Sequence, residues 1–213
     1  MWGPTASDPG PADGAVLILV RHGESTANAD GLLVGRMDAP LTERGRSQAG
    51  TLRSVLGEVT RVVSSPLARA RATAECLGTG LEVEVDERWI EVDYGEFDGQ
   101  PLASVPREVW AEWRSDPSFR PPGGESLEEA GVRVRAACHE LVGDGGGAAS
   151  APGTTVVVSH VSPIKLATCW CLGLPDEGSW RLYLATASVT TIGWGPGGPV
   201  LRRYNETPWS RGE

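Results

Sequence analysis

The sequence predicts an α/β protein, a three-layer α/β/α sandwich around a mostly parallel central sheet. Two observations carry this. Val16-Leu17-Ile18-Leu19-Val20 and Thr154-Thr155-Val156-Val157-Val158-Ser159 are apolar and β-branched runs of the kind buried on both faces of a sheet, and histidines follow closely, His22 after the first and His160 after the second. Around them, segments with helical spacing alternate with shorter strand-like runs, the pattern that lays helices on both faces of a parallel sheet. In open sheets of this kind ligands bind beyond the carboxyl ends of the strands, where both histidines fall.

Composition bounds the possibilities. The 213 residues, 40% of them hydrophobic, suffice for one domain with a full core. A net charge of -9, from 19 Lys+Arg against 28 Asp+Glu, argues against nucleic acid and against an anionic membrane surface as partners, while leaving room for a local cationic pocket. No apolar run approaches the roughly 18 to 20 residues of a membrane span, and the N-terminus lacks a signal-peptide pattern, so a cytoplasmic protein is expected. Cys76, Cys138, Cys169 and Cys171 have neither metal-site nor disulfide-framework spacing and read as buried thiols.

In chain order, residues 1–14 are rich in Pro, Gly and Asp and read as a disordered tail. Residues 26–40 have no sustained period and read as a loop over the first strand tip. Thr42 is a plausible N-cap for a helix carrying Ala49, Leu52 and Leu56, with Gly45 in its first turn. Residues 61–65 form a short strand ended by Pro66, and a helix over 67–77 follows with Ser65 as its cap. Residues 82–85 alternate as a half-exposed strand. A helix is expected near 102–114, a breaker at 121–124, an amphipathic helix over 126–142, a flexible loop over 143–153 and a helix over 163–172. Segments 181–183, 188–194 and 200–204 read as an edge meander around a turn at 195–199, and its strand 188–194 offers a pairing edge for a homodimer. The expected organisation is a domain over 15–205, with a cap insertion at about 92–125 and tails at 1–14 and 206–213.

The chemistry follows from what His22, His160, Arg21 and a further arginine can do together. A lone histidine at a strand end is usually a hydrogen-bonded cap, and His139, on the long amphipathic helix beside Glu140, reads that way. Two at neighbouring strand ends point further. A metal site needs a third ligand and is opposed by the adjacent guanidinium, so an anion site fits better and no metal is expected.

The run Arg21-His22-Gly23-Glu24-Ser25 with Asn28 resembles the opening motif of the histidine phosphatase superfamily, the phosphoglycerate mutase-like family. The resemblance continues through Asp38-Ala39-Pro40-Leu41-Thr42-Glu43-Arg44-Gly45, Ser65-Pro66-Leu67-Ala68-Arg69-Ala70-Arg71-Ala72-Thr73-Ala74, Glu91-Val92-Asp93-Tyr94-Gly95, Pro122-Gly123-Gly124-Glu125-Ser126 and Val158-Ser159-His160, and spans residues 16–204. It implies a phosphoglycerate mutase-like fold and a cofactor-free, metal-independent phosphomonoester hydrolase acting on a small phosphorylated metabolite. In that resemblance His22 matches the nucleophile that carries the phosphoryl group, with its other ring nitrogen tied to the Gly23 carbonyl. Arg21, Arg69 and His160 match the groups around the transferring oxygens. Arg71 faces about 200 degrees away from Arg69 on a helix and is expected in solvent. Glu91 matches the general acid, with Glu87, Asp93 and Glu96 as rivals on residue type alone. Ser25, Asn28 and Arg36 are expected to add phosphate or substrate contacts, and Glu125 and Ser126 to line the rim.

One position departs from the pattern: Val161 stands where glycine commonly follows the second histidine. Its N–H survives, and the β-branched side chain is expected to narrow the pocket and alter selectivity. The run from His160 to Lys165, with residues 181–188, is similar to the acid phosphatase half of actinobacterial proteins that fuse a ribonuclease H domain to such a module; that domain is not expected here. A cofactor-dependent mutase is the alternative activity. It needs extra cations after the acid, and residues 96–122 hold Arg107, Arg114 and Arg120 against five carboxylates. A catalytically silent phospho-ligand-binding module is the alternative of another class. Trp110 and Trp113 either stack on the leaving group or belong to the core.

Overall fold

A computed structural model describes residues 15–142, 153–195 and 197–210. Six strands form one sheet in the order β3-β2-β4-β1-β5-β6: β1 (Val16–Arg21), β2 (Arg61–Ser64), β3 (Val83–Val85), β4 (Thr154–Ser159), β5 (Val189–Gly195) and β6 (Gly198–Glu206). The first four in that order run parallel, and β5 and β6 are antiparallel additions. The predicted sandwich is therefore the observed one.

The side-chain period of two in a strand sorts the core into two halves. Leu17 and Leu19 of β1, Val63 and Val157 face one side, where they pack against Leu127, Ala130, Val134 and Ala137 of helix α5 (Leu127–Val142) and Ile164 and Ala167 of helix α6 (Val161–Leu172). Ile18 and Val20, Val62, Val156 and Val158 face the other side, against Leu52, Leu56, Ala70, Ala74 and Leu77. Those residues come from helix α2 (Glu43–Thr51) with the turn that continues it, and from helix α3 (Ala68–Cys76) with its C-terminal flank.

Several expectations shift, each for a local reason. Residues 26–40 open with a one-turn helix α1 (Thr26–Ala29), because Ser25 and Asn28 form a reciprocal capping box. Helix α3 begins at Ala68 after Leu67, whose N–H reaches the Ser65 hydroxyl at 3.3 Å; Leu67 is the N-cap residue, and Ser65 stands two residues too early for that place. The helix expected near 102–114 is a single turn, Leu102–Ser104, and then helix α4 (Arg107–Ser115), separated by Pro106, which can stand only at a helix start. Helix α6 begins at Val161, two residues ahead of Pro163. Proline is tolerated in the first turn, where its missing N–H would have no intrahelical acceptor. Residues 181–183 are not a strand: Asp176–Arg181 is a 3-10 helix. Strand β5 is bonded on both sides, to β1 and β6, so it offers no pairing edge, and the outer strand of the meander is β6.

Leu33, Val105 and Trp113 form a small separate core, flanked by Tyr94, Phe97, Trp110, Phe119 and Trp180. Trp113 is buried at its centre, edge-on to Tyr94 at 5.4 Å between ring centroids, while Trp110 is half-buried. The expected tails at 1–14 and the loop over 143–152 lie outside the described residues, as does Pro196 in the predicted turn. The expected C-terminal tail is anchored at Trp209, whose indole N–H is shared by the Thr186 and Ala187 carbonyls at 3.1 and 3.2 Å.

Candidate active site

Three neighbouring parallel strands end together. Arg21 of β1 is in register with Ser159 of β4, and the His22 N–H donates to the Ser159 carbonyl at 3.0 Å. His22 and His160 therefore leave the sheet side by side, with ring centroids 5.0 Å apart and both side chains buried. On the other flank of β4, Ser65 follows β2 and its hydroxyl meets His160 Nε2 at 2.7 Å.

Two neighbours fix the tautomer of His22. A carbonyl can only accept, so Nδ1, 2.7 Å from the Gly23 oxygen, carries the proton. The Arg69 Nε–H donates to Nε2 at 3.3 Å, which leaves that nitrogen with its lone pair. Gly23 is itself held by its N–H to Thr73 Oγ1 at 3.0 Å, and the same hydroxyl donates to the Arg69 carbonyl one helical turn back. A Cβ on Gly23 would overlap the Gly45 carbonyl, and one on Gly45 would overlap the Glu24 carbonyl, so α2 and the loop after β1 touch backbone to backbone.

Arg69, in the first turn of α3, is wholly buried and donates to the carbonyls of Met37 and Gly35 at 2.9 and 2.6 Å. The loop that supplies those carbonyls is organised by Asp98, whose carboxylate accepts the N–H groups of Gly35, Arg36 and Met37 at 2.7 to 2.8 Å. Arg21 donates to the Leu184 carbonyl at 2.7 Å. Arg71 is exposed, as expected.

Of the four acids weighed for the fourth role, Glu87 and Glu96 are exposed and Asp93 pairs with Arg36, whereas Glu91 is buried. Its carboxylate accepts from the Val92 N–H at 2.8 Å and the Ser162 N–H at 3.2 Å, which brings it to the first turn of α6, two residues from His160. Arg133 of α5 holds the turn before it, donating to the Arg88 and Ile90 carbonyls at 2.7 Å each.

The remaining expected site residues are placed less directly. Ser25 and the side-chain oxygen of Asn28 are engaged in the α1 capping box. Ser126 caps α5 through a reciprocal arrangement with Glu129. Glu125 is bound at both oxygens by Arg133, at 2.8 and 2.9 Å, and also meets the exposed Arg36 at 3.2 Å. Val161 is half-buried at the start of α6. Sequence reasoning missed Thr73, Ser65, Asp98, Arg133 and Ser162. Thr73 was within reach, since it stands four residues after Arg69 and so on the same helix face. Among the described residues no group of three or more His, Cys, Asp or Glu is placed to hold a metal ion.

Comparison with known proteins gives the family. The profile of the histidine phosphatase superfamily (branch 1) matches residues 17–207. The chain belongs to the histidine phosphatase superfamily. Bifunctional protein Rv2228c of Mycobacterium tuberculosis is 34% identical over 200 residues, which cover 90% of this chain and 54% of that protein. The chain thus spans about half the length of that relative. Glucosyl-3-phosphoglycerate phosphatase of Mycobacterium tuberculosis is 34% identical over 195 residues, covering 85% of this chain and 87% of that one. A solved structure of the mycobacterial glucosyl-3-phosphoglycerate phosphatase Rv2419c with VO3 superposes with a TM-score of 0.79 at 32% identity, covering 89% of this chain and 98% of that chain.

Electrostatics at the centre favour neutral imidazoles. Burial, and then the charges of Arg69 and Arg21, hold the His22 pKa well below the ordinary 6.5. Burial and Arg69, with His22 and Arg21, do the same for His160. Burial brings Arg21 down to about 10, which leaves it charged at neutral pH. Arg21 Nε and His160 Nδ1 are buried with no hydrogen-bond partner. Such groups cost on the order of 1–3 kcal/mol each, and an oxyanion is the ligand chemistry that relieves a guanidinium of that cost.

The lowered histidine pKa values set a direction for stability. The unfolded chain takes up protons near 6.5 while the folded one resists them, so this contribution is full above that value and lost as pH falls below it. The urea midpoint is expected to fall between about pH 7 and pH 5, and to fall less in His160→Asn; equal slopes in the two proteins would contradict the assignment. The glycine contact gives a second expectation. Gly45→Ala should destabilise by about 1–3 kcal/mol. Gly50→Ala, on the same helix with open space around its Cβ, should stabilise by about 0.5–1 kcal/mol, both read from denaturant unfolding.

Proposed function

We propose that the protein is a phosphomonoester hydrolase that works through a phosphohistidine at His22 on small phosphorylated metabolites. The observation that carries this reading is the fixed tautomer: Nδ1–H is committed to Gly23, and the Nε2 lone pair faces Arg69. In the first step Nε2 bonds to phosphorus, the ester P–O bond breaks, and Glu91 gives a proton to the leaving alkoxide. In the second, water attacks the phosphohistidine, its proton passes to Glu91, the P–N bond breaks, and neutral His22 is restored with inorganic phosphate released.

Charge on the transferring oxygens is met by Arg21, Arg69 and His160, which are preorganised in a buried cluster; losing one such donor typically slows the reaction on the order of 100-fold to 1000-fold. The arginines and imidazoles supply the charge clamp, so the proposed cycle uses no metal. Hydrolysis is favoured over a mutase reaction by what the cap arginines do. Arg120 is paired with Glu129, and Arg114 lies over Trp110 and Trp180, 5.9 Å from each ring centroid, which leaves Arg107 of the three. A cytoplasmic location is part of the same reading, supported by four cysteines that are all unpaired.

Hydrolysis of p-nitrophenyl phosphate in the presence of a chelator tests it. His22→Ala should lose at least on the order of 1000-fold in kcat, with no acid-labile phosphoenzyme trapped on quenching. Turnover equal to wild type would overturn the mechanism, and no turnover in the wild type would favour the silent binding module. Glu91→Gln should slow alkyl phosphates by about 100-fold to 10,000-fold and the activated nitrophenyl ester much less, because only the poor leaving group needs the proton.

A further inference from the structure

The chain holds a single lysine, Lys165; its other 18 basic side chains are arginines. That lysine lines a cavity of about 110 Å³ together with Tyr94, Trp110, Val161, Ser162 and Trp180. The cavity adjoins the reaction centre through Ser162, whose N–H donates to the Glu91 carboxylate at 3.2 Å and whose hydroxyl meets the Tyr94 hydroxyl at the same distance. On α6, Val161, Ser162 and Lys165 stand at positions i, i+1 and i+4, so the residue beside the catalytic histidine and the lysine share one helix face.

Lys165 differs from the arginines around the periphery. Arg36, Arg61, Arg88, Arg120, Arg133 and Arg135 each have a carboxylate partner. Lys165 is half-buried and its ammonium makes no hydrogen bond or ion pair to any described residue. Burial lowers its pKa, Glu91 attracts its charge and Arg21 repels it, which places the ammonium within electrostatic reach of both. A half-buried cation between aromatic walls is costly without a counter-charge. The pocket keeps one in a chain that carries a net charge of -9.

Resting on the reading above, we propose that Lys165, with the hydroxyls of Ser162 and Tyr94, binds a second anionic group, a carboxylate or phosphate, on the alcohol portion of the substrate. The phosphoryl group undergoing transfer lies at His22, the ester oxygen at Glu91, and the second anion beyond it against Lys165.

The test compares kcat/KM for 3-phosphoglycerate, propane-1,3-diol bisphosphate and glycerol 3-phosphate in the wild type, Lys165→Met and Lys165→Arg. The wild type should prefer at least one of the doubly anionic esters over glycerol 3-phosphate by about 10-fold or more, and which one it prefers separates carboxylate from phosphate. Lys165→Met should reduce that ratio about 10-fold, chiefly through KM, and Lys165→Arg should retain part of it. A wild-type ratio near one, or a ratio unchanged in Lys165→Met, overturns the subsite. Competition is a second readout: glycerate, which carries no phosphate for the His22 site, is tested against glycerol as an inhibitor of p-nitrophenyl phosphate hydrolysis with wild type and Lys165→Met. A carboxylate subsite predicts stronger inhibition by glycerate than by glycerol, lost in Lys165→Met; equal weakness of the two, together with a flat bisphosphate ratio, overturns the subsite. If nitrophenyl phosphate turnover depends on His22 while these ratios stay flat, the subsite alone fails; if that turnover is absent or independent of His22, the hydrolase reading fails with it.

Discussion

In the proposed mechanism the buried His22 imidazole reacts only with its proton fixed on the other ring nitrogen, and one backbone carbonyl fixes it there. The 2.7 Å contact between His22 Nδ1 and the Gly23 oxygen gives the peptide after the histidine a chemical task, so its position has to be held. The structure holds it from two sides of the helical layer. Thr73 of α3 takes the Gly23 N–H, and Gly45 of α2 presses its carbonyl where a Gly23 side chain would be. Two helices that pack on the same face of the sheet as Ile18 and Val20 thus end by locking the strand tip, and core packing and tautomer choice become one constraint.

The cations differ in whether a carboxylate is among the groups that solvate them. Arg133 and Arg88 meet carboxylates, which neutralise them and make them structural ties around α5. Arg21 and Arg69 are anchored by carbonyl dipoles, from Leu184 in one case and Gly35 and Met37 in the other. A carbonyl orients a guanidinium without cancelling its charge, so both keep a full positive field directed at the imidazoles. That field, added to burial, is why His22 and His160 are held neutral. Asp98 contributes at one remove: it binds the three N–H groups of the loop whose carbonyls hold Arg69.

How much of this was legible follows from range of interaction. The two central strands and their histidines could be read because a strand buried on both faces leaves a continuous apolar run, and helix α5 because its stripe repeats over sixteen residues. Arg69 could be separated from Arg71 because the family resemblance fits from Arg69 only and helix geometry keeps both from facing one phosphate. The shorter elements were obscured by single side chains acting locally, such as Asn28 closing a turn on Ser25, or Pro106 splitting a helix. Ser65 and Asp98 carry no periodic signal, and the helix spacing of Thr73 from Arg69 gives its face but not its partner on Gly23. Their roles exist only across 95, more than 60 and 50 residues of chain, and only the folded sheet brings those partners together. For Ser126 the local pattern won: a serine three residues before a glutamate at a helix start is a cap by its own chemistry, whatever rim it also borders.

Helix α6 shows how a single element can join chemistry and selectivity. His160 is its N-cap residue and has no side-chain bond to the helix, which leaves the imidazole for Ser65 and the reaction centre. The first-turn N–H of Ser162 has no intrahelical acceptor, and it meets Glu91 instead. Pro163 contributes no competing donor at the next position. One turn on, Lys165 stands on the face shared with Val161, and both line the same cavity. In the proposed subsite, glycine in place of Val161 would admit more solvent around the ammonium and weaken its hold on an anion, so the proposal gives the valine a part in selectivity through the dielectric of the pocket.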